Sequence, residues 1–237
     1  MEYNIRGTTL QVADIQLNEG ETIYTQLGGM AWRSPNIAMK TEARGGFFKS
    51  LVRTFIGENF FLNTYTCQQG TGVISVAAEH PGKIIPLQLG EGQSIICQKD
   101  GLLCAQESVT LEAQGAGTWG GRFFGGEGML LQKLKGPGMV FLELCGEITE
   151  YELQQGQMLY VDTGHVAAFQ ESVTFDVVSV DGMKNKIFGG EGLFLTTVEG
   201  PGKVYLQSLP LKKFARKIGK YIPKRSSSSS SSRRRSR

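Results

Sequence analysis

Apolar residues along the chain come in short runs bounded by turn residues, the pattern of strands joined by tight connections. EGLFLTTV, then EGPG, then KVYLQSL predicts a strand, a type II Pro-Gly turn and a second strand. Just upstream, QMLYVD, TG and HVAAF predict another hairpin. Before residue 209 no apolar 3.6-residue period persists long enough to specify a helix. An all-β body is therefore expected.

The pattern changes at PLKKFARKIGKYIPKR. Leu211, Phe214, Ile218 and Tyr221 or Ile222 fall on one helical stripe, while Lys212, Lys213, Arg216, Lys217 and Lys220 fall off it. Residues 210–223 are thus predicted to form a basic amphipathic helix, ended by Pro223. Beyond it stand Ser226 to Ser232 and RRRSR, which have nothing apolar to bury, so 224–237 is expected to stay disordered. Two readings of the helix stay open. Its stripe docks on the body with the lysines in water, or the stripe enters a membrane interface while each lysine gains about 1 kcal/mol from anionic lipid.

Within the body, three motifs recur at one offset. QESVT stands at Gln106 and again at Gln170, FGGEG at Phe124 and Phe188, and GPG at Gly136 and Gly200, each pair 64 positions apart. Coincidence at one offset in three places points to internal duplication. A fainter copy precedes them: FIGEN at Phe55 matches FGGEG, QQGTG at Gln68 matches KGPG, SPNIAM at Ser34 matches ESVTL, and NEGET resembles GEGQS and QQGQM. The expected architecture is one domain over 1–209 made of three units, 12–83, 84–149 and 150–209. Strand pairs that bury one face would stack about a pseudo-threefold axis or roll into a barrel or sandwich.

Repetition also bears on chemistry. A catalytic constellation is usually assembled once per chain, so Gly125, Gly126, Glu127 and Gly128, their counterparts Gly189, Gly190, Glu191 and Gly192, and Gly57 and Glu58 in the first unit read as backbone devices. Pro137 and Pro201 read as turn formers. Neither FGGEG continues as GxxxxGK[ST], and strands rather than helices follow, so phosphate-loop and dinucleotide readings fail and no cofactor is expected. A ring of Glu58, Glu127 and Glu191 would suit a divalent cation only if all three met on the axis; no metal site is assigned. Of the two histidines, His80 in EHPGK reads as a solvated turn residue and His165 in TGHVAAF as a satisfied strand residue, leaving no base for a nucleophile. Trp32 and Trp119 lie beside basic residues but read as packing groups rather than base-stacking platforms.

Charge is split rather than balanced. Eleven of the 25 Lys and Arg lie from Lys212 onward and no acidic residue follows Glu199, so 14 basic face 22 acidic residues before Lys212, about −8 against a tail of +11. An acidic body argues against a fold-wide nucleic-acid surface, and the tail argues for one anionic partner, a membrane surface or a nucleic acid, contacted by Lys212, Lys213, Arg216, Lys217, Lys220, Arg233, Arg234 and Arg235. Cys67, Cys97, Cys104 and Cys145 form no CxxC pair and read as buried reduced thiols. MEYNIRGTTLQV has no signal or transit character, and no apolar run approaches the ~18 residues a span needs.

MAWRSPNIAMKTEARGG, GENFFLNTY, PGKIIPLQL, FFGGEGMLL with KGPGMVFL, GHVAAFQESV and IFGGEGLFLTTVEGPGKVYLQSLP together resemble the altered inheritance of mitochondria protein 24 family, over residues 3 to about 222. The resemblance implies a tripled β fold similar to the tryptophan RNA-binding attenuation protein, a homo-oligomer, and a role in membrane-associated or respiratory assemblies. Eukaryotic members are mitochondrial. This chain resembles the shorter prokaryotic-type form, for which a cytoplasmic place at the periphery of a membrane is expected. RNA binding does not follow from the fold alone. The function expected is a non-enzymatic, self-associating scaffold; the alternative is a small-molecule or RNA-binding module.

Overall fold

The computed structural model describes residues 1–26, 28–42, 62–114, 131–179 and 194–223. After β1 (Glu2–Arg6) come β2 (Val12–Asn18), β3 (Thr22–Gln26), β4 (Met30–Arg33), β5 (Ile37–Glu42), β6 (Leu62–Cys67) and β7 (Thr71–Ala77). Then come β8 (Gly82–Leu89), β9 (Ser94–Gln98), β10 (Leu102–Gln106), β11 (Thr110–Gln114), β12 (Leu131–Lys135) and β13 (Gly138–Cys145). The last strands are β14 (Ile148–Leu153), β15 (Met158–Asp162), β16 (Val166–Gln170), β17 (Thr174–Ser179), β18 (Phe194–Glu199) and β19 (Gly202–Gln207), followed by helix α1 (Leu211–Gly219). The body is β throughout its described length, as the short apolar runs require.

Four antiparallel sheets result, ordered β1-β2-β7-β4, β5-β6-β3-β10-β13-β8, β11-β12-β9-β16-β19-β14 and β15-β18-β17. Adding six to every strand number of the second sheet yields the third. Each six-stranded sheet thus takes three strands from one stretch of chain and three from the next, joined at β3·β10 and at β9·β16. The 64-residue offset predicts recurring strands, but not that neighbouring stretches share a sheet. Among the described residues no sheet closes on itself, so the barrel form of the sequence expectation is corrected: each of these sheets ends in edge strands.

Turn chemistry recurs with the strands. Asn18, Gly90 and Gln154 each donate a backbone N–H to the side-chain oxygen three residues on, Glu21 Oε2, Gln93 Oε1 and Gln157 Oε1, at 2.8, 2.7 and 2.8 Å. Gly20, Gly92 and Gly156 within those turns take φ of 81, 76 and 78°, a region that other residues resist. At the ends of β4, β10 and β16, Ser34 Oγ, Gln106 Oε1 and Gln170 Oε1 accept the N–H of Val73, Met139 and Lys203. The GPG turns differ from expectation. The Gly136–Pro137 and Gly200–Pro201 bonds are both cis, whereas a type II turn has trans bonds throughout.

Three hydrophobic clusters make the core. One gathers Tyr24, Cys97, Leu142 and Tyr205, drawing on both six-stranded sheets. A second surrounds Ile15, Ile23, Tyr65 and Phe141, and a third Ile96, Phe169, Phe175 and Val204, with the two phenylalanine rings stacked at 5.0 Å. The FGGEG copies, Gly57 and Glu58, Trp119 and the arginines Arg233, Arg234 and Arg235 lie outside the described residues.

Candidate anionic-surface site at the C-terminal helix

Pro210 stands at the N-cap of α1 with φ −58° and ψ 123°, and its carbonyl accepts the Phe214 N–H at 3.0 Å. The first turn of the helix is tied to the body. Lys213 Nζ donates to Asp162 Oδ2 at 2.6 Å, beside the 3-10 turn Thr163–His165. Burial pushes the Asp162 carboxyl up, but the Lys213 hydrogen bond and charge and the Gly164 N–H more than offset this and hold it below the usual carboxylate range. Beyond this first turn the stripe is uncovered. No residue of α1 is buried, and Ile218, Tyr221 and Ile222 are 44, 77 and 61% exposed. Lys212, Lys217 and Lys220 are exposed and have no ion pair among the described residues. The first turn is thus tethered to the body, while Ile218, Lys212 and Lys217 of the helix are exposed to solvent.

All four cysteines are buried and unpaired, and burial pushes the Cys97 thiol up to about 12 and Cys145 to about 11. His165 Nδ1 lies 2.8 Å from the Gln207 carbonyl, as expected of a satisfied histidine. His80 does not fit its expected solvated place: it is buried, with Nε2 3.6 Å from Glu143 Oε2. The EHPG bend is held down because Glu143 on β13, 64 residues from Glu79, accepts the Glu79 N–H at 2.9 Å. Trp32 departs from its expected packing role. It is 51% exposed on edge strand β4, with the Arg6 guanidinium 6.0 Å from its ring. Among the described residues no three His, Cys, Asp or Glu are grouped to hold a metal ion.

Glu143 gives a pH test of this interior. Burial pushes its carboxyl up to about 7, against the Glu79 N–H, which lowers it. A carboxyl whose folded value is raised contributes stability that is complete below its unfolded value, here 4.5, and lost as pH rises through about 7. Glu143→Gln keeps an acceptor for the Glu79 N–H and removes the titration. Between about pH 5 and 8 the native protein should lose about 2 kcal/mol relative to the variant in urea unfolding. Parallel stability profiles would contradict this placement of Glu143.

The family model described as "Mitochondrial biogenesis AIM24" matches residues 3–209. The chain is 29% identical over 236 residues to an uncharacterised protein of Streptococcus pyogenes serotype M6, covering 96% of this chain and 93% of that one. It is also similar to the crystal structure of a Streptococcus pyogenes protein, at 24% identity and a TM-score of 0.74, covering 93% of this chain and 99% of the other. This second likeness concerns the fold.

Proposed function

Because the chain belongs to the mitochondrial biogenesis AIM24 family, we propose that it works as a non-enzymatic, self-associating β scaffold held at an anionic membrane surface by its C-terminal helix and tail. Its body is read as three consecutive six-strand units, in keeping with the shift-by-six strand order. The observation that carries the membrane reading is the exposed apolar side of α1 and of the turn after it, with Ile218 on the helix and Tyr221 and Ile222 just beyond Gly219 exposed beside Lys212, Lys217 and Lys220. A helix that served only to complete the core would bury that stripe. Placed at a membrane interface, the same side chains bury apolar area while their cations meet lipid phosphates. No helix among the described residues is long and apolar enough to cross a membrane, so α1 would lie on the surface rather than span it.

Truncation tests the proposal. The full-length protein should co-sediment with vesicles containing anionic lipid, and a chain ending at Pro210 should not, while unfolding within a few degrees of the parent. Single-stranded RNA run alongside separates the two anionic partners, since arginines and lysines would give both a similar salt dependence. Tighter retention by RNA than by vesicles would replace the membrane with nucleic acid. A truncated chain that unfolds at a much lower temperature, with no vesicle binding by the parent, would make the helix a structural part of the fold.

A further inference from the structure

The strand order contains an unfinished junction. Two junctions join consecutive stretches of the chain, β3 to β10 and β9 to β16, and they share one register. Cys104 faces Thr25 and Ala105 faces Tyr24 in the first; Ala168 faces Cys97 and Phe169 faces Ile96 in the second. Shifting by six again would pair β15 with β4. Those strands instead end two different sheets, β15-β18-β17 and β1-β2-β7-β4. Joined at that point, they would read β17-β18-β15-β4-β7-β2, the order of both six-stranded sheets, with β1 appended.

The two free edges still carry the features of junction strands. β4 has the register shift against β7, between Met30 and Trp32, that β10 and β16 have against their partners. In β10 and β16, which have found a neighbour, the first four residues are buried. In β4 none is, and in β15 only Val161 is. Trp32, Met158 and Tyr160, 51, 45 and 68% exposed, stand on the two edges. Other edges show the usual protection against pairing: β8 carries Pro86 and β14 carries Glu150 and Glu152. β15, MLYVD, and β4, MAWR, have one charge each, at the last residue and of opposite sign.

We propose that β15 of one copy pairs antiparallel with β4 of a second copy, with Trp32 opposite Val161 and Arg33 opposite Tyr160. This deepens the self-association reading above and rests on it. A ring closed within one chain would make the same bonds, but among the described residues of one chain neither edge is paired, and Trp32, Met158 and Tyr160 on them are exposed. Because the two edges differ, the contact is head-to-tail, so each added copy presents a fresh edge.

The test uses full-length protein and light scattering. Native protein should have a concentration-dependent mass above the 25.9 kDa of one chain. Trp32→Asp and Tyr160→Asp change exposed side chains, and each should give monomers, since every contact would use the damaged edge. Mixed together, they should form dimers and stop, because the first keeps an intact β15 and the second an intact β4. A monomeric native protein would overturn both this pairing and the self-association reading. Native oligomers that persist in the single variants, or variants that do not complement on mixing, would overturn the edge pairing alone. In the double variant Arg33→Cys/Tyr160→Cys, oxidation should give a disulfide ladder of dimers and larger species. A monomer with an internal bond would show closure within one chain and end the proposal.

Discussion

Gly200→Ala should unfold the protein at ordinary temperature or lower its stability by about 3–5 kcal/mol, against the 5–15 kcal/mol typical of a domain. A Cβ at this position would lie 2.5 Å from the Gln154 carbonyl oxygen, 2.6 Å from that of Leu153 and 2.8 Å from the Leu153 carbonyl carbon. These are backbone atoms of the β14 turn and cannot swing aside as a flexible side chain can. The Gly200 N–H is also bound to the Gln157 carbonyl at 3.0 Å, so moving away would break the contact that seats the GPG turn on that turn. Gly136 has the equivalent surroundings, 2.5 Å from the Gly90 oxygen, and should behave alike. Gly156→Ala is the control. It has φ 78° but open space around its Cβ position, so only the left-handed strain of about 1 kcal/mol applies. Thermal unfolding of the three variants checks this; equal losses at Gly156 and Gly200 would refute the close-approach account.

Much of this architecture was legible in residue spacing because it rests on local chemistry. Apolar runs bounded by glycine and proline give the strands, GPG recurs, and NEGE, GEGQ and QQGQ share a glycine and an acceptor side chain because each turn makes the same hydrogen bond. What stayed hidden depends on partners far along the chain. Periodicity shows that β10 and β16 are equivalent strands, but not that β10 pairs with β3, 81 residues away by the Ala105 and Tyr24 numbers, nor that β4 lacks the matching neighbour among the described residues. His80 looked solvated because EHPG is turn chemistry; its burial comes from Glu143 reaching the Glu79 N–H. Trp32 looked like a packing residue because tryptophan usually is one, and its exposure follows from the unpaired edge of β4. The presence and start of the helix were readable from the stripe Leu211, Phe214 and Ile218, but not that it stops at Gly219, short of the Pro223 end expected for a 210–223 helix, nor how much of the stripe the body covers. FGGEG falls outside the described residues, so its structural reading remains an expectation from repetition.

Reversing Lys212, Lys217 and Lys220 to Glu should abolish attachment to anionic vesicles. Each lysine near such a surface is worth about 1 kcal/mol, so neutralising three would weaken binding on the order of a hundredfold, and reversal adds repulsion of similar size. Lys213 is left in place because its bond to Asp162 tethers the helix, so the variant should stay folded. Ile218→Asp with Ile222→Asp should weaken attachment through the apolar stripe instead, with less effect on salt dependence. The measurement closest to the central claim is flotation of the full-length protein with anionic and with zwitterionic vesicles across a salt series. The account predicts flotation with anionic vesicles only, falling as salt rises past about 0.15 M and absent in the Lys→Glu variant; no flotation at any salt, or equal flotation by the native protein and that variant, would contradict it.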